Sequence, residues 1–283
     1  MRILLILLAI LIPTSSLAFG DTGGEVPTYE LLMNRLAQDG FDLDYLAKLF
    51  ADPRAELIPA AMTLSLGSKE VQDIYNQFLT PQSILSAKKF LRANLKLLRQ
   101  MENQFQVDKE VVVAILFVES RFGENIGRHR IIPTLASMAL IDVPENLWNN
   151  YLTLLEIDPD LSFEWVEERA RRKANWAYHE LKCFLRIVCG EKIDPLEVRG
   201  SYAGALGMAQ FVPSSYLAYA HTKESLDTWL LSKEAAVYSI ANYLKSHGWK
   251  KNLTLEKKKR TLWYYNRSEP YVETILQIAK RIK

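Results

Sequence analysis

The sequence predicts a mainly α-helical fold. Apolar residues recur at spacings of three and four along most of the chain, which is the periodicity of an amphipathic helix. No segment shows a convincing strand alternation, and no hairpin of the Asn-Gly type is present. The 283 residues are 49% hydrophobic and 24% charged, which excludes a disordered chain, a collagen-like repeat and a multi-span membrane protein.

Residues 1–18 are predicted to be a secretory signal peptide. Arg2 precedes an apolar run over Ile3–Ile12, and a small-x-small site follows at Ser16–Ala18. We expect cleavage after Ala18. The apolar run is shorter than the roughly 20 residues that span a bilayer, so no stable membrane anchor is expected.

The helical segments follow in chain order. One is predicted over 29–36 and ended by Gly40, a second over 41–50, long helices over 82–105 and 164–189, and two more over 233–247 and 270–282. The stretch 141–163 contains prolines with Asp and Asn, and is interpreted as an irregular insertion. Cys183 and Cys189 are too far apart on a continuous helix for a disulfide, although a helix end between them would allow one; two buried thiols are expected.

Charge gives little indication of a nucleic-acid partner. The net charge is +2, whereas nucleic-acid-binding proteins usually carry a strongly basic face. The basic run Glu256–Arg260 is interpreted as a solvated face and not as a nucleic-acid patch.

A single carboxyl group stands out. The apolar run Val111–Val118 is a buried strand or helix, and Glu119 follows it directly. If the run is helical, Gly123 ends it, and burial and the negative end of the helix both favour the protonated carboxyl. Such a group can donate a proton to a leaving oxygen, although it could equally mark where the helix meets solvent. No second carboxylate is evident nearby, so Glu119 would work alone with a nucleophile supplied by the substrate.

Two other clusters could serve a binding site. The segment Gly200–Ser215 holds three glycines within eight residues, and either approaches a ligand closely or connects two helices tightly. Trp263–Asn266 and Tyr271 offer aromatic faces and an amide that suit sugars, but aromatics at these spacings are equally often core.

These segments together resemble the membrane-bound lytic transglycosylase B family. The resemblance is carried by four motifs in order, and it covers about nine-tenths of the chain: Val118–Gly123, Gly200–Ser215, Ile240–Trp249 and Tyr265–Tyr271. It implies a lysozyme-like helical core, expected over 106–283 with the insertion near 141–163. Residues 19–105 would form an additional N-terminal helical segment that packs on this core.

The resemblance also implies residue roles. Glu119 would be the catalytic acid and then the base. Substrate would be bound by Ser201, Gln210, Tyr265, Asn266, Tyr271 and Arg172, the last from a basic pair whose register within Arg171–Lys173 stays open. Residues 221–229 lack the calcium-ligand spacing that some members carry, so no metal and no cofactor are predicted.

The implied activity is cleavage of the β-1,4 bond between N-acetylmuramic acid and N-acetylglucosamine, with formation of a 1,6-anhydro ring. The implied partner is a peptidoglycan glycan strand in the periplasm, with no nucleic acid; protein partners are not predicted. Two alternatives remain at this point: a muramidase that lets water attack, and a non-catalytic peptidoglycan-binding protein.

Overall fold

The computed structural model describes residues 29–67, 72–221 and 224–283. Within these ranges the chain forms helices α1 (Glu30–Gln38), α2 (Leu43–Ala51), α3 (Pro59–Gly67), α4 (Gln72–Asn76), α5 (Pro81–Ala93), α6 (Leu95–Phe105), α7 (Lys109–Ser120), α8 (Ile131–Ala139), α9 (Pro144–Leu155), α10 (Phe163–Val188), α11 (Pro213–Tyr219), α12 (Leu226–Leu231), α13 (Lys233–Ser246), α14 (Leu255–Tyr265) and α15 (Glu269–Ile282). Short 3₁₀ turns lie at Pro53–Ala55 and Gln77–Leu79. The strands β1 (His129–Arg130) and β2 (Arg199–Gly200) pair antiparallel. The predicted mainly α-helical fold is confirmed.

Helix α7 lies at the centre of the main core. Helices α5, α6, α13 and α15 pack around it, and every residue from Val111 to Ser120 is buried. A helix that is covered on all sides needs no polar face, which explains why its sequence is apolar without interruption. The structure therefore decides for a helix where the sequence allowed either a helix or a strand.

A second, smaller core joins α3, α9 and α10. Its buried members are Met62, Leu66, Ile141, Leu147, Leu154, Val166, Ala170 and Ala174. The prediction of an irregular segment over 141–163 is wrong, because α9 occupies most of it. Pro144 stands at the first helical turn, where the missing N–H is tolerated.

The predicted helix over 82–105 is two helices. The chain breaks at Asn94, whose side-chain Nδ2 donates a hydrogen bond of 2.8 Å to the Phe90 carbonyl. A side-chain amide that competes for helix carbonyls favours such a break. The predicted long helix over 164–189 is confirmed as α10, which begins after the N-cap Ser162.

The predictions for the signal peptide and for the two cysteines remain to be compared with the structure. The predicted signal peptide lies outside the described residues, and no described helix is long and apolar enough to cross a membrane. Both cysteines are free thiols, as predicted, and Cys183 is buried. The expected burial of Cys189 is wrong, because this residue follows the last residue of α10 and is exposed.

Candidate active site

Glu119 lies in the last turn of α7 and is only 3% exposed. The helix ends at Ser120 with Arg121 as its C-cap, two residues before the cap predicted at Gly123. Arg121, Phe122 and Gly123 all have positive φ angles, of 49°, 63° and 96°. This left-handed turn carries the chain sharply away from the helix axis. It leaves the Glu119 side chain beside a cleft instead of under a further helical turn.

Tyr271 donates a hydrogen bond to Glu119. Its hydroxyl donates to Glu119 Oε1 at 2.8 Å, across 152 residues of sequence. Tyr271 is fully buried in the first turn of α15, and its ring lies near those of Tyr75 and Tyr265. Burial, followed by the negative charge of Glu119, raises the pKa of Tyr271 well above its ordinary value. The phenol therefore stays protonated at neutral pH and remains a donor.

The glycine-rich segment packs against the end of α7. Ser120 Oγ donates to the Met208 carbonyl at 2.8 Å. Leu206 and Phe211 exchange two backbone hydrogen bonds, and Gly207 and Gln210 turn the chain between them with positive φ angles. The segment forms a tight connection, which is one of the two interpretations that the sequence left open, and it approaches the residue next to Glu119.

Ser201 and Gln210 have different roles in this segment. Ser201 is fully buried, and its Oγ accepts hydrogen bonds from the backbone N–H groups of Ala203 and Ala205. Gln210 Nε2 donates to the carbonyls of Gly207 and Ile126 at 2.8 and 3.2 Å. Its buried Oε1 has no hydrogen-bond partner among the described residues. Ser201 therefore shapes the segment, whereas Gln210 retains an acceptor that a ligand could use.

Tyr265 and Asn266 join the end of α14 to the same segment. The Tyr265 hydroxyl donates to the Ala209 carbonyl at 2.6 Å. Asn266 is 1% exposed, and its Nδ2 has no hydrogen-bond partner within the described part of the chain. A buried amide donor without a partner is costly, so it is a candidate for contact with a bound molecule.

Arg172 is the predicted site residue that the structure does not bring into contact with this cluster. It is exposed on α10, where it forms an ion pair with Glu168 one turn earlier. Its neighbour Lys173 is buried, with Nζ 5.5 Å from the centre of the Trp176 ring. Burial lowers the pKa of Lys173 to about 8. In the described structure neither cation forms a hydrogen bond or an ion pair with the residues around Glu119.

The cleft beside Glu119 has an empty volume of about 280 Å³. It is lined by Gln77, Phe78, Val118, Glu119, Ser120, Arg121 and Asn125. Arg121 Nη2 donates to Gln77 Oε1 at 2.5 Å, and its guanidinium lies 5.2 Å from the centre of the Phe78 ring.

Glu119 is the one predicted site residue in this lining, and sequence reasoning missed the other six. Four of these, Val118, Ser120, Arg121 and Asn125, lie within six residues of Glu119 and could have been found by proximity. Gln77 and Phe78 lie in a 3₁₀ turn about 40 residues earlier and carry no sequence signal of their role. Glu119 is the one carboxylate among these lining residues.

The described residues also bear on metal binding. Within 29–67, 72–221 and 224–283, no three His, Cys, Asp or Glu side chains converge in a way that could hold a metal ion. The absence of a metal remains a prediction.

Comparison with known proteins decides the family. Residues 26–260 match the sequence model of the transglycosylase SLT domain. The chain belongs to the transglycosylase SLT domain family. Among its relatives in this family is membrane-bound lytic murein transglycosylase B of Escherichia coli (strain K12), which is 32% identical over 178 residues. That match covers 62% of this chain, which spans about two fifths (41%) of the relative's length.

Solved structures confirm the lysozyme-like helical fold of this SLT-domain protein. Catenated lytic transglycosylase SltB1 from Pseudomonas aeruginosa superimposes with a TM-score of 0.71 at 21% identity, over 91% of this chain and 97% of that one. SltB3 from the same organism, solved with NAG-anhNAM-pentapeptide, gives a TM-score of 0.68 at 18% identity, over 90% and 79% of the two chains.

Proposed function

We propose that this protein is a lytic transglycosylase. It would cleave the β-1,4 bond between N-acetylmuramic acid and N-acetylglucosamine in peptidoglycan and leave a 1,6-anhydro ring. The observation that carries the proposal is the position of Glu119, buried at the end of α7, bonded to Tyr271 and facing the cleft. Membership of the SLT domain family and the glycan-peptide bound to SltB3 support the substrate class.

Glu119 performs both proton transfers in this proposal. The protonated carboxyl donates its proton to the glycosidic oxygen as the C1–O bond breaks, and the N-acetylglucosamine side leaves as an alcohol. The 2-acetamido carbonyl of the muramoyl unit stabilises the positive charge at C1. The carboxylate then takes the proton of the C6 hydroxyl, and the oxygen of that hydroxyl bonds to C1 and closes the 1,6-anhydro ring. Glu119 ends protonated, and no water is consumed.

The neighbouring groups support each step. Tyr271 remains a donor to Glu119 throughout, so it stabilises the carboxylate that forms after the first proton transfer. The buried Gln210 Oε1 and Asn266 Nδ2 atoms lack partners among the described residues, and they would supply an acceptor and a donor to the sugars if substrate binding exposes them. Ser201 would act by holding the glycine-rich segment in place. Arg172 would bind substrate farther from the reacting bond.

The single carboxylate in the described cleft lining favours an internal nucleophile. Most glycosidases use a second carboxylate, either as nucleophile or to activate a water. Glu124, five residues after Glu119, is exposed and lies outside the cleft lining. A muramidase with the same cleft would add water to C1, and a non-catalytic binding protein would release no fragments.

The experiment is digestion of purified peptidoglycan followed by mass spectrometry. Wild-type protein is expected to release anhydro-muropeptides, which are lighter than reducing-end fragments by the mass of one water. Glu119→Gln should lower the rate by about 10²–10⁴-fold, because it removes the transferable proton. Its thermal unfolding should remain cooperative.

Glu124→Gln is the matched control, since it changes an exposed carboxylate outside the cleft and should keep full activity. Reducing-end products would show that water attacks C1 and that the protein is a muramidase. Full activity of Glu119→Gln would show that Glu119 is not the catalytic acid.

The proposed site of action is the periplasm. The substrate lies outside the cytoplasmic membrane, and the leader predicted at residues 1–18 would export the chain.

A further inference from the structure

A strongly positive surface surrounds α14. Residues 245–267 contain eight of the 35 basic residues and one of the 33 acidic residues. The segment therefore has a formal charge of +7, whereas the remainder of the chain has −5. Seven of its exposed residues, five basic and two aromatic, define what we call the α14 face: Lys250, Lys251, Lys257, Arg260, Trp263, Tyr264 and Arg267.

Seven of the eight cations of this segment fall into two groups, and the eighth, Lys245, lies with its Nζ 5.4 Å from the centre of the Phe105 ring. Lys258 pairs with Asp108 at 3.1 Å, and Lys259 pairs with Glu273, so these two hold α14 on its neighbours. The basic residues of the α14 face form no ion pair with any carboxylate of the described residues. Charges that the fold does not use remain available to an anionic partner.

Two aromatic side chains stand among these cations. Trp263 is 43% exposed and Tyr264 is 39% exposed. Trp263 lies three residues after Arg260, and Tyr264 lies four after it, so all three share one side of the helix. The Tyr264 ring packs beside His247 at 5.1 Å, and its carbonyl accepts a hydrogen bond from the Tyr243 hydroxyl. These two contacts hold Tyr264 in place on α14.

The α14 face adjoins in sequence two residues of the predicted site. Tyr265 and Asn266 directly follow Trp263 and Tyr264, and Tyr265 is bonded to the glycine-rich segment at Ala209. A glycan strand is a polymer, so it extends over the surface outside the cleft.

We infer that the α14 face binds the peptidoglycan strand beyond the cleft, with sugar faces on Trp263 and Tyr264 and stem-peptide carboxylates on Lys257 and Arg260. The inference rests on the proposed function and names a substrate-binding surface for it. An anionic membrane is a poorer occupant. Membrane-surface helices present a continuous apolar face, whereas charged residues lie between Leu255 and Trp263 on the exposed side of α14.

The test measures binding to insoluble peptidoglycan in the Glu119→Gln background, where the polymer stays intact. The double substitution Lys257→Gln with Arg260→Gln should weaken binding about fivefold at low salt, as expected for two exposed ion pairs. The difference should shrink in about 1 M salt, where exposed charges are screened. The double substitution Lys96→Gln with Arg99→Gln, another exposed Lys and Arg three residues apart on a helix, is the matched control and should bind like the parent.

A neutral polymer separates the two kinds of contact. On chitin, which lacks stem peptides, the charge variant should bind like the parent, whereas Trp263→Ala should weaken binding to both polymers by about fivefold. Equal peptidoglycan binding by the charge variant and its control would overturn the inference. Loss of binding to anionic phospholipid vesicles, with peptidoglycan binding retained, would assign the face to a membrane instead.

The outcome is independent of the proposed chemistry. Cleavage by the wild-type protein is measured separately, and it can persist while the α14 variants show no binding defect. In that case the inference fails and the proposed function stands. If wild type releases no fragments, the proposed function fails, whatever the variants bind.

Discussion

At the scale of single residues, the pairing of Glu119 with Tyr271 is the central feature. A carboxyl that is 3% exposed needs hydrogen bonds in place of water, and Tyr271 provides one at 2.8 Å. The raised pKa of Tyr271 keeps that hydroxyl protonated, so the donor is present in both protonation states of Glu119. The same hydrogen bond therefore stabilises the buried carboxyl and is present during the proposed proton transfers.

Tyr271→Phe tests this pair. The substitution keeps the ring and removes the donor, so the ionised form of Glu119 loses a stabilising bond. We expect the rate to fall by about tenfold and the alkaline limb of the pH–rate profile to move to higher pH. Tyr45→Phe, which changes an exposed tyrosine on α2, is the control and should alter neither. A lower melting temperature with an unchanged pH profile would show that the Tyr271 hydroxyl is only structural.

At the scale of elements, the short β1–β2 pair sets the glycine-rich segment beside α7. His129 lies opposite Gly200 in this pair, and Gly127 precedes it with a φ of +91°. A Cβ atom on Gly127 would lie 2.0 Å from the Gly200 carbonyl carbon, which is far inside van der Waals contact. The chain at Gly127 can pass the Gly200 backbone this closely only because Gly127 has no side chain.

Gly127→Ala is therefore expected to lower the free energy of unfolding by more than about 3 kcal/mol, which places it among the most damaging single substitutions. Gly40→Ala is the matched control. Gly40 has a similar φ of +90° but nothing within 4 Å of an added Cβ, so it should cost only about 1 kcal/mol of backbone strain. Urea denaturation measures both. Equal losses would show that the close approach to Gly200 contributes nothing.

At the scale of the whole molecule, ion pairs join segments that are far apart in sequence. Arg54 contacts Asp52, Asp194 and Glu197, each at 2.7 Å, and so links the turn after α2 to the chain before β2. The hydrogen bonds from Arg54 lower the pKa of Asp52 to about 2 and also lower the pKa values of Asp194 and Glu197. Carboxylates with lowered pKa values stabilise the fold only while they are ionised.

The lowered pKa values of these carboxylates predict how the stability of the fold depends on pH. The contribution is complete above the unfolded pKa of Asp52, near 3.8, and is lost as the pH falls towards 2. Arg54→Gln should therefore lower the melting temperature at pH 7, and its difference from wild type should narrow between pH 4 and pH 2. Arg171→Gln, which breaks a pair with Glu167 within one helix, should change the melting temperature less. A difference that is constant across this pH range would contradict the prediction.

The sequence by itself determined what depends on local spacing. The helical periodicity predicted α1, α2, α10, α13 and α15 to within a few residues, because an apolar stripe is visible in neighbouring positions. The unbroken apolar run before Glu119 indicated a buried element that ends in a carboxyl. The prediction from sequence missed α9, because Pro144 is a signal for both a loop and a first helical turn.

Only the tertiary structure decided which groups meet at Glu119. Tyr271 comes from α15, Gln77 and Phe78 come from a turn between α4 and α5, and the glycine-rich segment reaches the end of α7 through Ser120 and Met208. Their sequence separations are too large for periodicity to relate them. The contacts arise because the helices around α7 bury its apolar surface on every side, and that packing brings their ends together where α7 stops.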